Sequence, residues 1–287
     1  MIMFGPSGNS EQFYEEGHKH TYEAMAWIKG MGLNAYEYSF GRGVRIGEQT
    51  ANIVRQEAGK NAIAMSVHAP YFINLATEDE QKRQKNLQYF LDSARAAKWL
   101  GADRVIFHPG SCAKLERSAA FHMAKNTFSW ILKQLDEAGH GDLTYCPETM
   151  GKINQLGDLQ EIIQLVRLDD RVIPTIDFGH LHARGRGAIN SPEDFEAILK
   201  ALIDGIGYER TKNMHVHFST IEYTAMGERQ HRTFADEGFG PYFEQLAPML
   251  LKYELEPRII CETKGTMAKD ALAMKRMYEK AKREKER

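Results

Sequence analysis

Six residues of the types that bind metal ions stand at the ends of six successive hydrophobic segments in this chain of 287 residues. They are His68, His108, Glu148, Asp177, His215 and Glu262. They recur at intervals of about 30 to 50 residues, and nearly every interval contains a helical pattern. A chain that returns an imidazole or a carboxylate to the same place in each strand–helix unit is assembling one site. This regularity therefore predicts both a fold and a divalent metal centre.

Eight short apolar segments alternate with longer amphipathic ones. The predicted strands lie near 2–4, 34–38, 62–67, 103–107, 142–146, 171–176, 212–217 and 257–261. The clearest helical patterns cover 78–100 and 115–138. Eight such repeats without a break in composition predict a single-domain (β/α)8 TIM barrel over residues 1–287. An open doubly wound sheet is the alternative, but the chain lacks the glycine-rich turn that binds dinucleotides.

Two further segments and one proline bear on the predicted structure. The longest connection, about 218–239, follows the seventh predicted strand, and we expect it to be a long active-site loop. Pro174 counts slightly against the sixth strand, because proline cannot donate a hydrogen bond to a neighbouring strand. Residues 275–287 are predicted to form a charged, solvated helix end.

Composition limits the class of protein. The formal net charge is −2, which argues mildly against a nucleic-acid partner for the chain as a whole. No apolar run approaches the length of about 18 residues that a membrane span needs, and no secretion signal is evident. The 3 cysteines are widely spaced, which is typical of reduced thiols. We therefore expect a cytoplasmic monomer that does not associate with membranes.

The types of the six residues indicate the chemistry. Side chains at the carboxyl ends of barrel strands converge on one mouth, so these imidazoles and carboxylates should meet there. Such ligands suit zinc, manganese or iron, and the lack of thiolates disfavours a purely structural zinc site. Six ligands exceed the need of one ion. Two ions about 3.5–4 Å apart would use all of them and would suit phosphodiester hydrolysis.

The segments around these residues resemble the endonuclease IV family of apurinic/apyrimidinic endonucleases, which belongs to the xylose-isomerase-like barrels. The resemblance covers essentially the whole chain, and its segments are 66–75 (SVHAPYFINL), 107–111, 148–151, 176–180 and 262–263. It implies two divalent ions, Zn²⁺ with Mn²⁺ as the alternative. One ion would be bound by His68, His108 and Glu148. Glu148 would bridge to the second ion, which Asp177, His215 and Glu262 would also bind, and Glu148 and Glu262 would be catalytic.

A third ion of the family is bound by a histidine three residues after the strand-six aspartate and by an Asp-x-His sequence after strand seven. His180 and His231 match the two histidines, but Arg229 stands where the aspartate is expected. Glu228 or Asp236 would have to replace it. Arg229 would instead bind a phosphate of the substrate.

The resemblance also assigns a DNA contact to Tyr71 and Phe72. These residues stand where the family inserts side chains into DNA at the abasic gap, and packing of both rings onto the barrel is the alternative. Eight basic residues fall in loops on the same side as the ligands and would give this side a positive rim. They are Arg42, Arg45, Lys114, Arg184, Arg186, Arg229, Arg232 and Lys264.

Two enzyme functions follow. The first is a phosphodiesterase that cleaves DNA 5′ to abasic sites. The second is a sugar isomerase or epimerase, in which Glu148, Asp177, His215 and Glu262 hold a single ion while Glu148 and Glu262 transfer protons. The strand-two segment 36–45 favours the second, since it resembles sugar isomerases and archaeal-type relatives. Glu37 at the end of this strand would be a seventh acidic group in the mouth, and a salt bridge to Arg42 or Arg45 is the alternative. A barrel that binds without turnover is a third option, and the number of ions separates the first two.

Overall fold

The eight strands of the barrel are parallel and short. A computed structural model describes residues 1–287. The barrel strands are β1 (Met3–Pro6), β2 (Ala35–Ser39), β3 (Ala64–His68), β4 (Arg104–Phe107), β5 (Thr144–Pro147), β6 (Thr175–Asp177), β7 (His215–Phe218) and β10 (Arg258–Cys261). They pair in two arcs, β1-β10-β7-β6 and β2-β3-β4-β5. Isolated parallel bridges join the arcs, from Ser7 to Glu37 on one side, and from Tyr145 to Val172 and from Glu148 to Thr175 on the other. The predicted closed barrel is confirmed.

Helices surround the barrel and connect its strands. They are α1 (Glu11–Glu15), α2 (Thr21–Gly30), α3 (Glu48–Asn61), α4 (Glu80–Leu100), α5 (Arg117–Glu137), α6 (Leu159–Val166), α7 (Phe178–Arg184), α8 (Pro192–Ile206), α9 (Tyr208–Lys212), α10 (Phe243–Lys252) and α11 (Met267–Lys285). The two helices with the clearest periodicity, α4 and α5, lie where they are predicted. Asp79 caps α4 through the backbone N–H groups of Gln81 and Lys82, which explains why this helix begins at Glu80. No helix is both long enough and apolar enough to cross a bilayer.

Aromatic side chains fill the layer between the strands and the helices. Phe90 of α4, Phe107 of β4 and Phe128 of α5 are fully buried and in mutual contact, with ring centroids 4.8 to 6.2 Å apart. Burial of each such ring contributes about 1.5–3 kcal/mol. Cys146 and Cys261 are fully buried in their strands, as expected for small core residues. This layer is the rigid support on which the strand ends are positioned.

The connection after β7 is not the irregular loop that the sequence predicts. It forms an antiparallel hairpin of β8 (Thr220–Thr224) and β9 (Gly227–Arg232). Its turn approaches the loop after β5, where Gly227 pairs with Lys152. The hairpin therefore lies over the mouth of the barrel. The sixth strand is also shorter than predicted: β6 begins at Thr175, after Pro174, so the proline does not interrupt it.

Candidate metal centre

Glu148 lies at the centre of the barrel mouth, among four imidazoles. Its fully buried carboxylate lies 3.0 Å from His68 Nε2, 3.1 Å from His108 Nε2, 3.2 Å from His180 Nδ1 and 3.3 Å from His217 Nδ1. It is the residue directly after β5, at the end of the strand, as predicted. Four groups of side chains could each hold a cation: three lie at the mouth, and the fourth, Glu37 with His215 and His217, lies beneath them inside the barrel.

The first group is His68, His108 and Glu148, as the resemblance implies. Both histidines direct Nε2 at the same carboxylate oxygen, Glu148 Oε2. The other ring nitrogen of His68, Nδ1, lies 2.8 Å from the carbonyl oxygen of Ala69. A backbone carbonyl at this position fixes the orientation of the ring and leaves Nε2 to face a cation.

The second group contains His217 in place of the predicted His215. Its members are Glu148, Asp177, His217 and Glu262. His217 Nδ1 lies 3.5 Å from Glu262 Oε2, whereas His215 contacts Glu37 deeper in the barrel. Strand β7 ends at Phe218, so His217 lies near its carboxyl end and His215 is its first residue. Both side chains point into the barrel because residues i and i+2 share a face of a strand, and two residues advance the chain by about 6.6 Å.

The third group is His180, Glu228 and His231. His180 Nε2 lies 3.5 Å from Glu228 Oε2, and Nδ1 of the same ring lies 2.8 Å from the carbonyl oxygen of Thr149. Glu228 of β9 thus occupies the place in which the sequence comparison expects an aspartate. Asp236 instead accepts hydrogen bonds from Thr233.

Arg229 does not enter this group. Its side chain is 65% exposed and pairs with Glu222 at 2.5 Å. The pairing of β8 with β9 is irregular here: Glu222 pairs with Gln230 and Tyr223 pairs with Glu228, so Arg229 is the extra residue of a bulge and points outward. The sequence left Glu228 and Asp236 as alternatives, and it could not choose between them without knowing that this segment is a bulged strand.

The donor set fits divalent cations. Three buried polar atoms at its middle, Glu148 Oε1, Asp177 Oδ2 and His217 Nδ1, have no hydrogen-bond partner. Buried polar groups are normally paired, so atoms of this kind converging on one point indicate a missing positive charge. Neutral imidazoles with carboxylates are ligands for zinc, manganese or iron.

The electrostatics of the protein alone agree with this fit. Burial raises the pKa of Asp177, and the nearby carboxylates Glu148 and Glu262 reinforce the rise against the opposing effect of His180. Burial would lower the pKa of His68, but the contact with Glu148 outweighs it and raises that pKa to about 9. The pKa values of His180 and His217 are raised in the same way, against the effect of burial, so in the absence of cations His68, His180 and His217 take up protons that compensate the carboxylates, and bound metal would displace these protons.

Glu37 does not pair with Arg42 or Arg45. It is fully buried inside the barrel, where Oε2 lies 3.0 Å from His215 Nε2 and Oε1 lies 3.0 Å from His217 Nε2. Burial would raise the pKa of Glu37, but the two histidines hold it well below its usual value. Glu37 is therefore not a seventh acidic group exposed at the mouth.

The surface around the site combines a cavity, aromatic rings and basic side chains. A cavity of about 370 Å³ opens above the ligands and is also lined by Tyr71, Lys152 and Gln155. Tyr71 and Phe72 are 51% and 47% exposed, so neither ring is packed away against the barrel. Of the eight basic residues predicted at the rim, six are exposed: Arg42, Arg45, Lys114, Arg186, Arg229 and Lys264. Arg184 is not available for phosphate, since it donates to backbone carbonyls of the loop after β5.

Comparison with known proteins agrees with this architecture. The sequence model described as xylose isomerase-like TIM barrel matches residues 25–280. The chain belongs to the xylose isomerase-like TIM-barrel family. An uncharacterized protein of Methanocaldococcus jannaschii is 31% identical over 278 residues, 97% of each chain. A probable endonuclease 4 of Mycoplasmoides gallisepticum is 29% identical over 202 residues, which are 68% of this chain and 62% of that protein.

Solved structures from both enzyme classes share the fold of this chain. Endonuclease IV from Thermus thermophilus is 18% identical, with a TM-score of 0.67 over 98% of this chain and 99% of that one. An L-ribulose 3-epimerase is 14% identical, with a TM-score of 0.72 over 100% of this chain and 97% of that one. The predicted resemblance to endonuclease IV is confirmed at the level of the family, while the structural similarities alone show only the fold.

Proposed function

We propose that this protein is a metal-dependent phosphodiesterase that hydrolyses DNA 5′ to abasic sites. The observation that carries the proposal is the group formed by His68, His108 and Glu148 beside the group formed by Asp177, His217 and Glu262. Two adjacent groups that share one carboxylate would hold a pair of cations. A single-ion sugar epimerase has no need of the first group.

We assign a separate role to each side chain of the site. Glu148 and Glu262 are the proposed catalytic carboxylates, and Glu262 is the more accessible of the two, with its side chain 18% exposed. Divalent ions bound here, Zn²⁺ by our proposal, supply Lewis-acid chemistry toward the phosphodiester and the attacking water. Lys152 lines the cavity and would bind a phosphate oxygen. Tyr71 and Phe72 would support the DNA helix where the abasic nucleotide leaves a gap.

A sugar epimerase remains the second candidate because of one observation. Glu148, Asp177, His217 and Glu262 are by themselves a complete set for one ion, and two of the carboxylates could transfer protons between adjacent carbons of a sugar. In that case His68 and His108 would contact sugar hydroxyls. The number of bound ions distinguishes the candidates, since the nuclease requires at least two per chain.

The test is cleavage of a labelled duplex that carries one abasic site. We expect the Zn²⁺-loaded protein to cut that strand once and to leave an intact duplex uncut. Glu148→Gln should lower the rate at least about a hundredfold, because the amide lacks the charge that holds two cations together. Glu196→Gln is the matched control, since Glu196 pairs with Lys200 on the outer surface of the barrel, and it should cut at the wild-type rate.

Two results would contradict the proposal. Cleavage by Glu148→Gln at the wild-type rate would remove this carboxylate from the reaction. Absence of cleavage by protein that binds a single ion per chain, together with epimerisation of a ketose, would establish the second candidate instead.

A further inference from the structure

A buried carboxylate lies directly beneath the candidate metal centre, inside the barrel. Glu37 of β2 stands opposite Ser66 of β3, and the Ser66 hydroxyl donates a hydrogen bond of 2.9 Å to Glu37 Oε2. The remaining neighbours are the two histidines of β7, His215 and His217, each with its Nε2 at 3.0 Å from one Glu37 oxygen. All four side chains are fully buried. Burying a charged carboxylate away from water costs free energy unless opposite charges and hydrogen bonds compensate it.

The two ring nitrogens of His217 face different neighbours. Nε2 faces Glu37, whereas Nδ1 faces Glu148 at 3.3 Å and Glu262 at 3.5 Å. An ionised carboxylate only accepts hydrogen bonds, so Nε2 must carry the hydrogen when it contacts Glu37. The lone pair of a neutral ring then lies on Nδ1, which is the nitrogen directed at the candidate cation.

His215 extends the same pattern toward the bottom of the barrel. Its Nδ1 lies 3.5 Å from Nη1 of Arg104, and its Nε2 faces Glu37. Since arginine can only donate, the hydrogen of a neutral His215 ring also belongs on Nε2. Both histidines thus direct a hydrogen at Glu37. A cation held among Glu37, His215 and His217 would instead lie near the guanidinium of Arg104, which disfavours metal at that level.

We propose that Glu37 is a positioning residue that orients His217 and keeps its Nδ1 free to bind the cation of the second group. Carboxylates that contact the non-ligating nitrogen of a metal-binding histidine commonly change metal affinity about 10–100-fold when they are removed. The proposal rests on the proposed metal centre, but it does not depend on the reaction that the centre catalyses.

The test measures metal binding rather than activity. Metal-free protein is titrated with Co²⁺ in the presence of a competing chelator, and the visible absorption of the bound ion reports its coordination number and geometry. We expect Glu37→Leu to weaken one Co²⁺ equivalent about 10–100-fold and to change its absorption, while the equivalent held by His68 and His108 keeps its affinity. Glu37→Gln retains an acceptor for His217, so its loss of affinity should be smaller.

Ser66→Ala is the matched control. It removes a buried hydrogen bond to Glu37 without touching His217, so both Co²⁺ equivalents should bind as in the wild type. Thermal unfolding of each metal-free variant shows whether it is folded. If Glu37→Leu does not fold, the Co²⁺ affinities of Glu37→Gln are compared with those of the wild type instead.

The outcomes separate this inference from the proposed function. Wild-type protein that binds fewer than two Co²⁺ ions contradicts the paired metal centre itself. Wild-type protein that binds two or more, with unchanged affinities in Glu37→Leu and Glu37→Gln, overturns only the role of Glu37. Equal weakening of all equivalents, together with a lower unfolding temperature, would show that Glu37 merely supports the fold and would also overturn the inference.

Discussion

Neighbouring residues at the barrel mouth have opposite roles because they belong to a strand. Glu228 faces His180 and His231, whereas Arg229 points outward to Glu222. The local sequence shows an acidic residue and a basic residue side by side, and the bulge of β9 at Arg229 decides which one reaches the site. These opposite orientations make the pair suitable for a comparison of two substitutions one residue apart.

We expect Glu228→Ala to lose one bound metal ion per chain and Arg229→Ala to lose none. Glu228 supplies the only carboxylate of the third group, and two imidazoles alone bind a divalent ion weakly. Elemental analysis of the purified variants after dialysis counts the ions directly. Loss of an ion from Arg229→Ala, with full metal content in Glu228→Ala, would mean that β9 faces the other way.

At β7 the metal-binding role is predicted for His215, and no role is predicted for His217. The apolar segment identifies the strand, but it does not say where that strand ends. The strand ends at Phe218, which lifts His217 to the mouth and leaves His215 below. Strand ends depend on hydrogen bonds to neighbouring strands, and these bonds are not visible in a single sequence.

At the scale of elements, the hairpin of β8 and β9 completes the site. It brings Glu228 and His231 over α7, which carries His180. Its position depends on a close approach of two glycines. A Cβ atom on Gly227 would lie 2.2 Å from the carbonyl oxygen of Gly151, and the backbone φ of Gly227 is +91°. The sequence could not predict this contact, since it joins loops that follow different strands.

Gly227→Ala should therefore displace the hairpin and lower the content of the third ion, while the ions around Glu148 remain. The control is Gly238→Ala in the same connection, where φ is +79° but no atom lies within 4 Å of the added Cβ. Both variants carry the strain of a positive φ, and only the first has the collision. Elemental analysis gives the comparison, and three full equivalents of metal in Gly227→Ala would show that the hairpin adapts.

At the scale of the whole molecule, closure of the barrel depends on the junction of β1 and β2. A Cβ atom on Gly5 would lie 1.8 Å from the carbonyl oxygen of Ala35. Backbone hydrogen bonds join the two segments, one of 3.1 Å from the N–H of Asn34 to the carbonyl of Phe4 and one of 2.9 Å from the N–H of Gly8 to the carbonyl of Glu37. Eight repeats in the sequence predict that a barrel forms. They do not reveal that the backbones of β1 and β2 lie so close together at Gly5 and Ala35.

We expect Gly5→Ala to destabilise the metal-free protein by about 1–3 kcal/mol or more, because backbone atoms cannot move away as a side chain can. Gly59→Ala is the matched control: it lies exposed in α3 with no atom near the added Cβ, and it should be neutral or stabilising by about 0.4–1 kcal/mol. Urea unfolding measures both changes. Equal midpoints for the two variants would contradict the importance of this junction.

The central place of Glu148 has a consequence for how the protein acquires its ions. One carboxylate lies within 3.3 Å of four imidazoles that belong to different candidate ligand groups. Burial would lower the pKa values of three of these rings, His68, His180 and His217, but the nearby carboxylates raise them. A cation bound here would displace protons from these rings, so loading would release protons into solution and metal affinity should fall as the solution is made more acidic.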